Sequence, residues 1–274
     1  MIKEMTKKEF KLFQELVYVR LGISLSDQKV SLLQSRLGKL VTKKGLSGYM
    51  ELYDFFIHHS GSSVDHELED AITTNVTSFF REKEQWIYLQ KYIKTHLLTR
   101  GNKKLRIWSS ASSSGEEPYS VAIFLYENIP NISLWDIKIL ATDVSEDILK
   151  KAIAGVYSEK SMQGLSLNIV QKYFTMKKTA KSKEFTINDS IKNMITFRKF
   201  NLVYGNYGMF RNPIDIIFCR NVMIYFDKPV QTQINNHLAS LLKREGLLFI
   251  GHSESIPPSV KNLKLVKSSI YMKE

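Results

Sequence analysis

The sequence predicts an α/β protein in which a small all-helical unit precedes a doubly wound parallel sheet carrying a small antiparallel insertion. Three observations predict it. The first hundred residues show helical periodicity and little strand character, short β-rich runs alternate with amphipathic stretches from Leu105 onward, and one lysine-rich segment breaks that alternation.

The helical part is clearest over 27–44, where Leu33, Leu37, Leu40 and Val41 recur at helical spacing and form one apolar stripe. Ser26 or Asp27 is placed to cap that helix and Gly45 to end it. Its opposite face carries Lys29, Arg36, Lys39 and Lys43, a basic surface. Residues 1–80 are read as the helical unit, 81–100 as a linking helix and 101–274 as the α/β domain.

In that domain the runs LRIWS, IKILATD, MITFRKFNL, IDIIFC and LLFIGHS are each bounded by turn or helix signals and read as strands. Between them, 117–128, 146–154 and 228–243 are amphipathic and long enough for right-handed crossovers between parallel neighbours. Residues 176–193 are polar and lysine-rich, and EFTIN within them alternates like a short antiparallel strand. They predict a β insertion at about 176–195.

At 274 residues and 43% hydrophobic, the chain can bury a full core. Its 39 basic against 27 acidic residues leave +12, which favours a polyanionic partner: nucleic acid, an anionic membrane or an acidic protein surface. Cys219 is the single cysteine, so no internal disulfide can form and a cytoplasmic location is expected. No run approaches the ~18 apolar residues that cross a bilayer, and the start MIKEMTKKEFK lacks the apolar core of an export signal. The six histidines show no metal-ligand spacing, so no metal is expected.

In an open α/β sheet, ligands gather where strand carboxyl ends meet helix N-termini, so the first strand-to-helix turn, SSASSSGEEP at 109–118, is the place to look. Small residues let a ligand approach the backbone there, and Pro118 suits the first helical turn. A phosphate-binding turn has two or three glycines and no acid, whereas this one has Gly115 alone and offers Glu116 and Glu117. Carboxylates there repel phosphate and suit a cation. S-adenosylmethionine is such a ligand, with a sulfonium, a free ammonium group and no phosphate.

Asp143 ends the second strand, where an acid can accept hydrogen bonds from ribose hydroxyls or cap the next helix. Asn201 and Leu202 follow the third strand and could bracket an adenine ring; Arg220 and Asn221 leave the fourth directly. Upstream, TTNVTSFFRE at 73–82 mixes hydroxyls, an amide, two aromatics and an arginine at the junction of the two parts, where small-molecule pockets tend to form.

Five blocks, TTNVTSFFRE, WSSASSSGEEPYSVAI, ATDVSEDIL, FCRNVMIYFDKPVQ and GLLFIGHSE, closely resemble in this order the CheR family of chemotaxis receptor protein-glutamate O-methyltransferases. The likeness spans roughly residues 10–272. It implies a Rossmann-like S-adenosylmethionine-dependent methyltransferase domain with a small β insertion behind a helical N-terminal domain that docks on receptors. It also implies methyl transfer to glutamate carboxylates of a receptor's cytoplasmic helical bundle, with S-adenosyl-L-homocysteine as product. The family's cofactor contacts fall here on Asn75, Thr77, Arg81, Glu117, Asp143, Asn201, Leu202, Arg220 and Asn221. Arg81 is expected to orient a carboxylate and Tyr225 to face the reacting methyl group. A cytoplasmic bacterial signalling enzyme follows, monomeric and without nucleic acid or membrane insertion. This chain departs from the commonest family pattern in its run of serines in the first turn, a small-for-small change.

Two rival readings have their own signatures. A methyltransferase acting on nucleic acid or on another protein shares the cofactor fold; the nucleic-acid class would carry a D/N-P-P-Y/F tetrapeptide after the fourth strand or a catalytic cysteine loop, where this chain has FCRNVMIYF with Cys219 ending a strand. A non-catalytic cofactor sensor would be expected to lose Arg81 or Tyr225, and both are present.

Overall fold

The computed structural model describes residues 3–59, 62–178 and 182–274, and it divides into two compact units. The first comprises Met1–Thr74 with Tyr225–Val230, the second Asn75–Ile224 with Gln231–Glu274. The boundary at Thr74 falls inside the TTNVTSFFRE block, so Asn75, Thr77 and Arg81 belong to the second unit.

Among the described residues, four α-helices build the first unit: α1 (Lys7–Leu21), α2 (Val30–Lys44), α3 (Tyr49–His58) and α4 (Ser62–Ile72). Thr6 and Glu9 close a reciprocal capping box on α1. The helix expected from Asp27 begins as a 3-10 turn over Asp27–Lys29, and the Ser26 side chain makes no capping bond. Gly45 ends α2 as expected, at φ 67°, a conformation that glycine adopts without strain. The predicted stripe of Leu33, Leu37, Leu40 and Val41 is buried, packed with Phe13, Val17, Leu52, Phe56 and Leu68. Tyr225–Val230 joins this unit: Ser24 N donates to the Tyr225 carbonyl at 2.8 Å, and Tyr18 Oη donates to Asp227 Oδ2 at 2.9 Å.

The basic face of α2 needs one correction. Lys29, Lys39 and Lys43 are exposed, but the half-buried Arg36 donates to the carbonyls of Ala71, Ile72 and Thr73 and, at 2.7 Å, to Thr74 Oγ1. A cation that satisfies the orphan carbonyls ending α4 stabilises that helix end. Its charge is spent inside the unit.

The second unit opens with α5 (Lys83–Tyr92), which runs into a π turn over Ile93–Leu97. Then come β1 (Lys104–Ser109), α6 (Glu116–Asn128), β2 (Asp136–Asp143) and α7 (Glu146–Ala154). The insertion follows: β3 (Val156–Ser158), α8 (Leu167–Tyr173), β4 (Phe174–Lys178) and β5 (Lys183–Ile187), with α9 (Asp189–Lys192) after it. The chain returns through β6 (Ile195–Lys199), β7 (Ile214–Cys219), α10 (Lys228–Leu241), β8 (Leu242–Ile250), β9 (Leu263–Lys267) and β10 (Ile270–Lys273).

The main sheet has the order β6-β2-β1-β7-β8-β10-β9, parallel from β6 to β8 and closed by an antiparallel hairpin. The five parallel strands are those expected; the hairpin β9-β10 was not. EFTIN forms β5, with Phe185 and Ile187 buried, in an antiparallel sheet ordered β3-β5-β4. The insertion begins earlier than expected, because Val156–Ser158 pairs with β5. Residues 179–181 of the expected insertion, and 1–2 of the N-terminal stretch, lie outside the described residues.

No helix among the described residues is long and apolar enough to cross a membrane.

Candidate active site

Strand order dictates where the chemistry gathers. The chain builds outward from β1 to β2 and β6, then crosses back to place β7 on the other side of β1. Parallel neighbours end on one edge, so the turn after β1, Asp143 at the end of β2, the Asn201 loop after β6 and Arg220 after β7 line one side of the sheet. The reversal of strand order at β1 and β7 opens the crevice in which such sheets bind ligands.

The turn after β1 is held by its neighbours on both sides. Ser110 N donates to the Phe218 carbonyl and Ser112 N to the Thr142 carbonyl, each at 2.8 Å. Ser113, at φ 49°, donates its amide to Asp143 Oδ2 at 2.8 Å and its hydroxyl to the Asn75 carbonyl at 3.2 Å. Asp143 Oδ1 accepts from Ser145 N at 3.1 Å, so the second-strand acid both ties the turn and begins α7. Gly115 at φ 97° then opens α6, and any Cβ there would lie 3.0 Å from Tyr119 and Tyr157. The Ser112 hydroxyl is buried and has no partner among the described residues, an orphan polar group that a ligand could satisfy.

Beneath this turn lies a charged cluster. Arg220, almost fully buried, donates Nε to Glu82 Oε2 at 3.2 Å, Nη1 to Glu117 Oε2 at 3.4 Å and Nη2 to the Arg81 carbonyl at 2.6 Å. Glu117 also accepts from Ser109 Oγ at 2.6 Å. Burial pushes the Glu117 carboxyl above the usual carboxylate range, against the pull of the Arg220 guanidinium and the Ser109 hydroxyl. Glu116 is raised by burial too, opposed by its bond from Ser114. Two carboxylates, Glu82 and Glu117, thus share one guanidinium, and the Arg81 charge also acts on Glu117.

The remaining expected residues are placed as follows. Arg81 Nη1 donates to the Val76 carbonyl at 3.0 Å, which folds the 75–81 segment on itself. Asn201 Oδ1 accepts from Val203 N at 2.7 Å and Tyr204 N at 3.2 Å, making an Asx turn that leaves Leu202 buried. Asn221 adopts φ 57°. Thr77 is half-buried on the same segment as Arg81. Tyr225 lies in the helical unit, where its hydroxyl stands 3.5 Å from the Thr74 carbonyl and its ring packs on the helical core.

Glu82 and Glu254 were missed in the sequence. Each ends a block that was noticed, TTNVTSFFRE and GLLFIGHSE, and an acid closing such a block was the available signal. Glu82 also accepts from His252 N at 3.0 Å; Glu254 accepts from three backbone amides.

The donor set suits a ligand with positive charge and hydroxyls and no phosphate: buried acids, an orphan hydroxyl and a turn with one glycine. Comparison with known proteins agrees. The family model described as the SAM binding domain of CheR methyltransferase matches residues 75–272, and that of the CheR all-alpha domain matches 8–73. A probable chemotaxis protein methyltransferase of Rhizobium etli is 38% identical over 90% of this chain and 92% of its own. A chemotaxis protein methyltransferase of Borreliella burgdorferi is 37% identical over 98% and 95%. Chemotaxis protein methyltransferase 2 of Pseudomonas aeruginosa is 33% identical over 97% and 93%. The residues at the strand edge fit S-adenosylmethionine, and the chain belongs to the CheR family of S-adenosylmethionine-dependent methyltransferases.

Proposed function

We propose that this enzyme methylates glutamate side chains on a chemotaxis receptor, giving methyl esters in receptor adaptation. One observation carries the choice of a carboxylate. The acids at the strand edge are committed within the chain: Glu117 to Ser109 and Arg220, Glu82 to Arg220 and His252 N, Asp143 to Ser113 N and Ser145 N. A glutamate substrate has a pKa near ~4.3 and is already ionised at neutral pH, so it needs no general base. A site whose acids are held by partners within the chain, as supports for a cofactor rather than as bases, suits such a nucleophile. The chemotaxis role is that of the relatives.

Bound S-adenosylmethionine supplies an electrophilic methyl group on a sulfonium. The chain's own contribution is positioning, and alignment in a dry site can account for about 7–11 kcal/mol of a barrier. Asp143 meets the ribose hydroxyls, Glu117 and Glu82 pair with the ammonium group, and Asn201 with Leu202 brackets the adenine. Asn75, Thr77, Arg220 and Asn221 complete the cofactor contacts. Arg81, with donors beyond the one on Val76, orients a carboxylate. Lys29, Lys39 and Lys43 on the helical unit meet the acidic helical bundle of the receptor, where complementary charge speeds encounter. The enzyme works as a monomer in the cytoplasm.

Incubation with methyl-labelled cofactor and the organism's receptor fraction tests this. The label should appear on receptor protein and leave as methanol in mild alkali. Alkali-stable label, or label in nucleic acid, would overturn the assignment.

A further inference from the structure

Glu254 ends the turn that leaves β8, and its carboxylate gathers three backbone amides from two adjacent strand ends. Oε2 accepts from Gly251 N at 2.6 Å and Asn221 N at 2.9 Å, and Oε1 accepts from Met223 N at 2.7 Å. Glu254 N donates back to the Gly251 carbonyl at 2.9 Å. The approach is so close that a Cβ on Gly251 would lie 2.5 Å from Asn221 Nδ2, 2.8 Å from Glu254 Oε2 and 2.9 Å from Asn221 N. The loop it holds is not one the chain adopts freely, since Asn221 stands at φ 57°.

We propose that Glu254 is a positioning residue, which holds residues 220–223 in the conformation that presents Arg220 and Asn221 to the cofactor. The proposal rests on placing those two residues in the cofactor site. Its physical core is that only an ionised carboxylate can accept on both oxygens here. A glutamine would serve the paired amides of Gly251 and Asn221 with its oxygen and turn its NH2 toward Met223 N, donor against donor. Gly251 belongs to the same device, because any larger residue would push the Asn221 amide off the carboxylate. The GHSE segment at 251–254 thus acquires a role as a latch between the ends of β7 and β8.

The test uses the full chain carrying Glu254→Gln, with S-adenosylhomocysteine as the probe and two readouts. Amide hydrogen exchange of Asn221 and Met223 is measured without ligand, and calorimetry gives Kd and stoichiometry separately. Exchange at both amides should speed up, and Kd should rise about tenfold at unchanged stoichiometry, the scale of one lost bond to a charged group. Gly251→Ala, which keeps the carboxylate, should shift Kd the same way. Unchanged exchange, or a loss of stoichiometry with Kd intact, overturns the latch and leaves Glu254 merely structural. If exchange speeds up but Asn221→Ala binds the probe with wild-type Kd, the placing of the loop in the cofactor site fails, and the proposal with it.

Discussion

Arg220 Nη1 lies 3.4 Å from Glu117 Oε2 in a site where both side chains are almost wholly withdrawn from water. The same guanidinium reaches Glu82 and the Arg81 carbonyl, so a single cation holds the start of α5, the first turn of α6 and the end of β7. Removing it would strand two carboxylates together. Arg220→Leu should cost about 3–5 kcal/mol, the scale of a broken buried pair. Arg220→Lys should recover little, because an ammonium's donors sit on one atom and cannot span the acceptors that Nε, Nη1 and Nη2 reach separately. Urea denaturation of the two variants checks this, and a lysine variant within about 1 kcal/mol of wild type would refute the three-way tie.

Glu117 predicts a pH effect of opposite sign to that of an ordinary paired carboxylate. Burial raises its folded value above the ordinary 4.5, so between 4.5 and that raised value the native state binds more protons than the unfolded one. Stability contributed by this group therefore falls as pH rises through that window and is fully present below it. Glu117→Gln should flatten this part of the profile. The change in denaturation midpoint from pH 4.5 to pH 7 should be more positive in the variant than in the wild type, and a more negative change in the variant would contradict the burial argument.

Much of this architecture was legible locally. Alternation and turn signals located the five parallel strands, because each is apolar enough to stand out from its amphipathic neighbours. β9 and β10 did not stand out: LKLVK has its lysines exposed and no buried face, and it is a strand only because β10 pairs with it. The start of α2 was misplaced because Ser26 looks like a cap and its side chain makes no capping bond. The site divided along the same line. Asp143 and the acid-bearing turn were readable from position relative to a strand, whereas Glu82, Glu254 and the true partners of Arg36 depend on contacts between segments distant in sequence. Nothing in the neighbours of Arg36 signals carbonyls 35 residues away.

The receptor docking proposed for the helical unit should depend on three lysines and not on Arg36. Changing Lys29, Lys39 and Lys43 together to Glu should lower receptor kcat/KM about tenfold at low salt, with the difference shrinking as ionic strength rises. Binding of S-adenosylhomocysteine should be untouched. Arg36→Glu should act differently, destabilising the unit by about 2–4 kcal/mol because it strands the carbonyls ending α4 beside a new anion. Parallel melting curves and methylation rates separate the two, and a stable Arg36→Glu protein with impaired docking would reverse the correction.

Arg81→Ala and Tyr225→Phe should cost turnover unequally. Arg81 can spend Nη1 on the Val76 carbonyl and still offer donors to a carboxylate, so Arg81→Ala should lose both the Val76 tie and the ionic hydrogen bond proposed for it. Turnover at saturating cofactor should drop roughly a hundredfold, which at 1.36 kcal/mol per decade is one strong charged contact. Tyr225→Phe removes only a hydroxyl that stands 3.5 Å from the Thr74 carbonyl and keeps the ring on the helical core. Its loss should stay below about tenfold, since a weak neutral hydrogen bond contributes about 1 kcal/mol. Methanol release from labelled receptor ranks the two, and near-normal turnover by Arg81→Ala would remove that residue from the catalytic set.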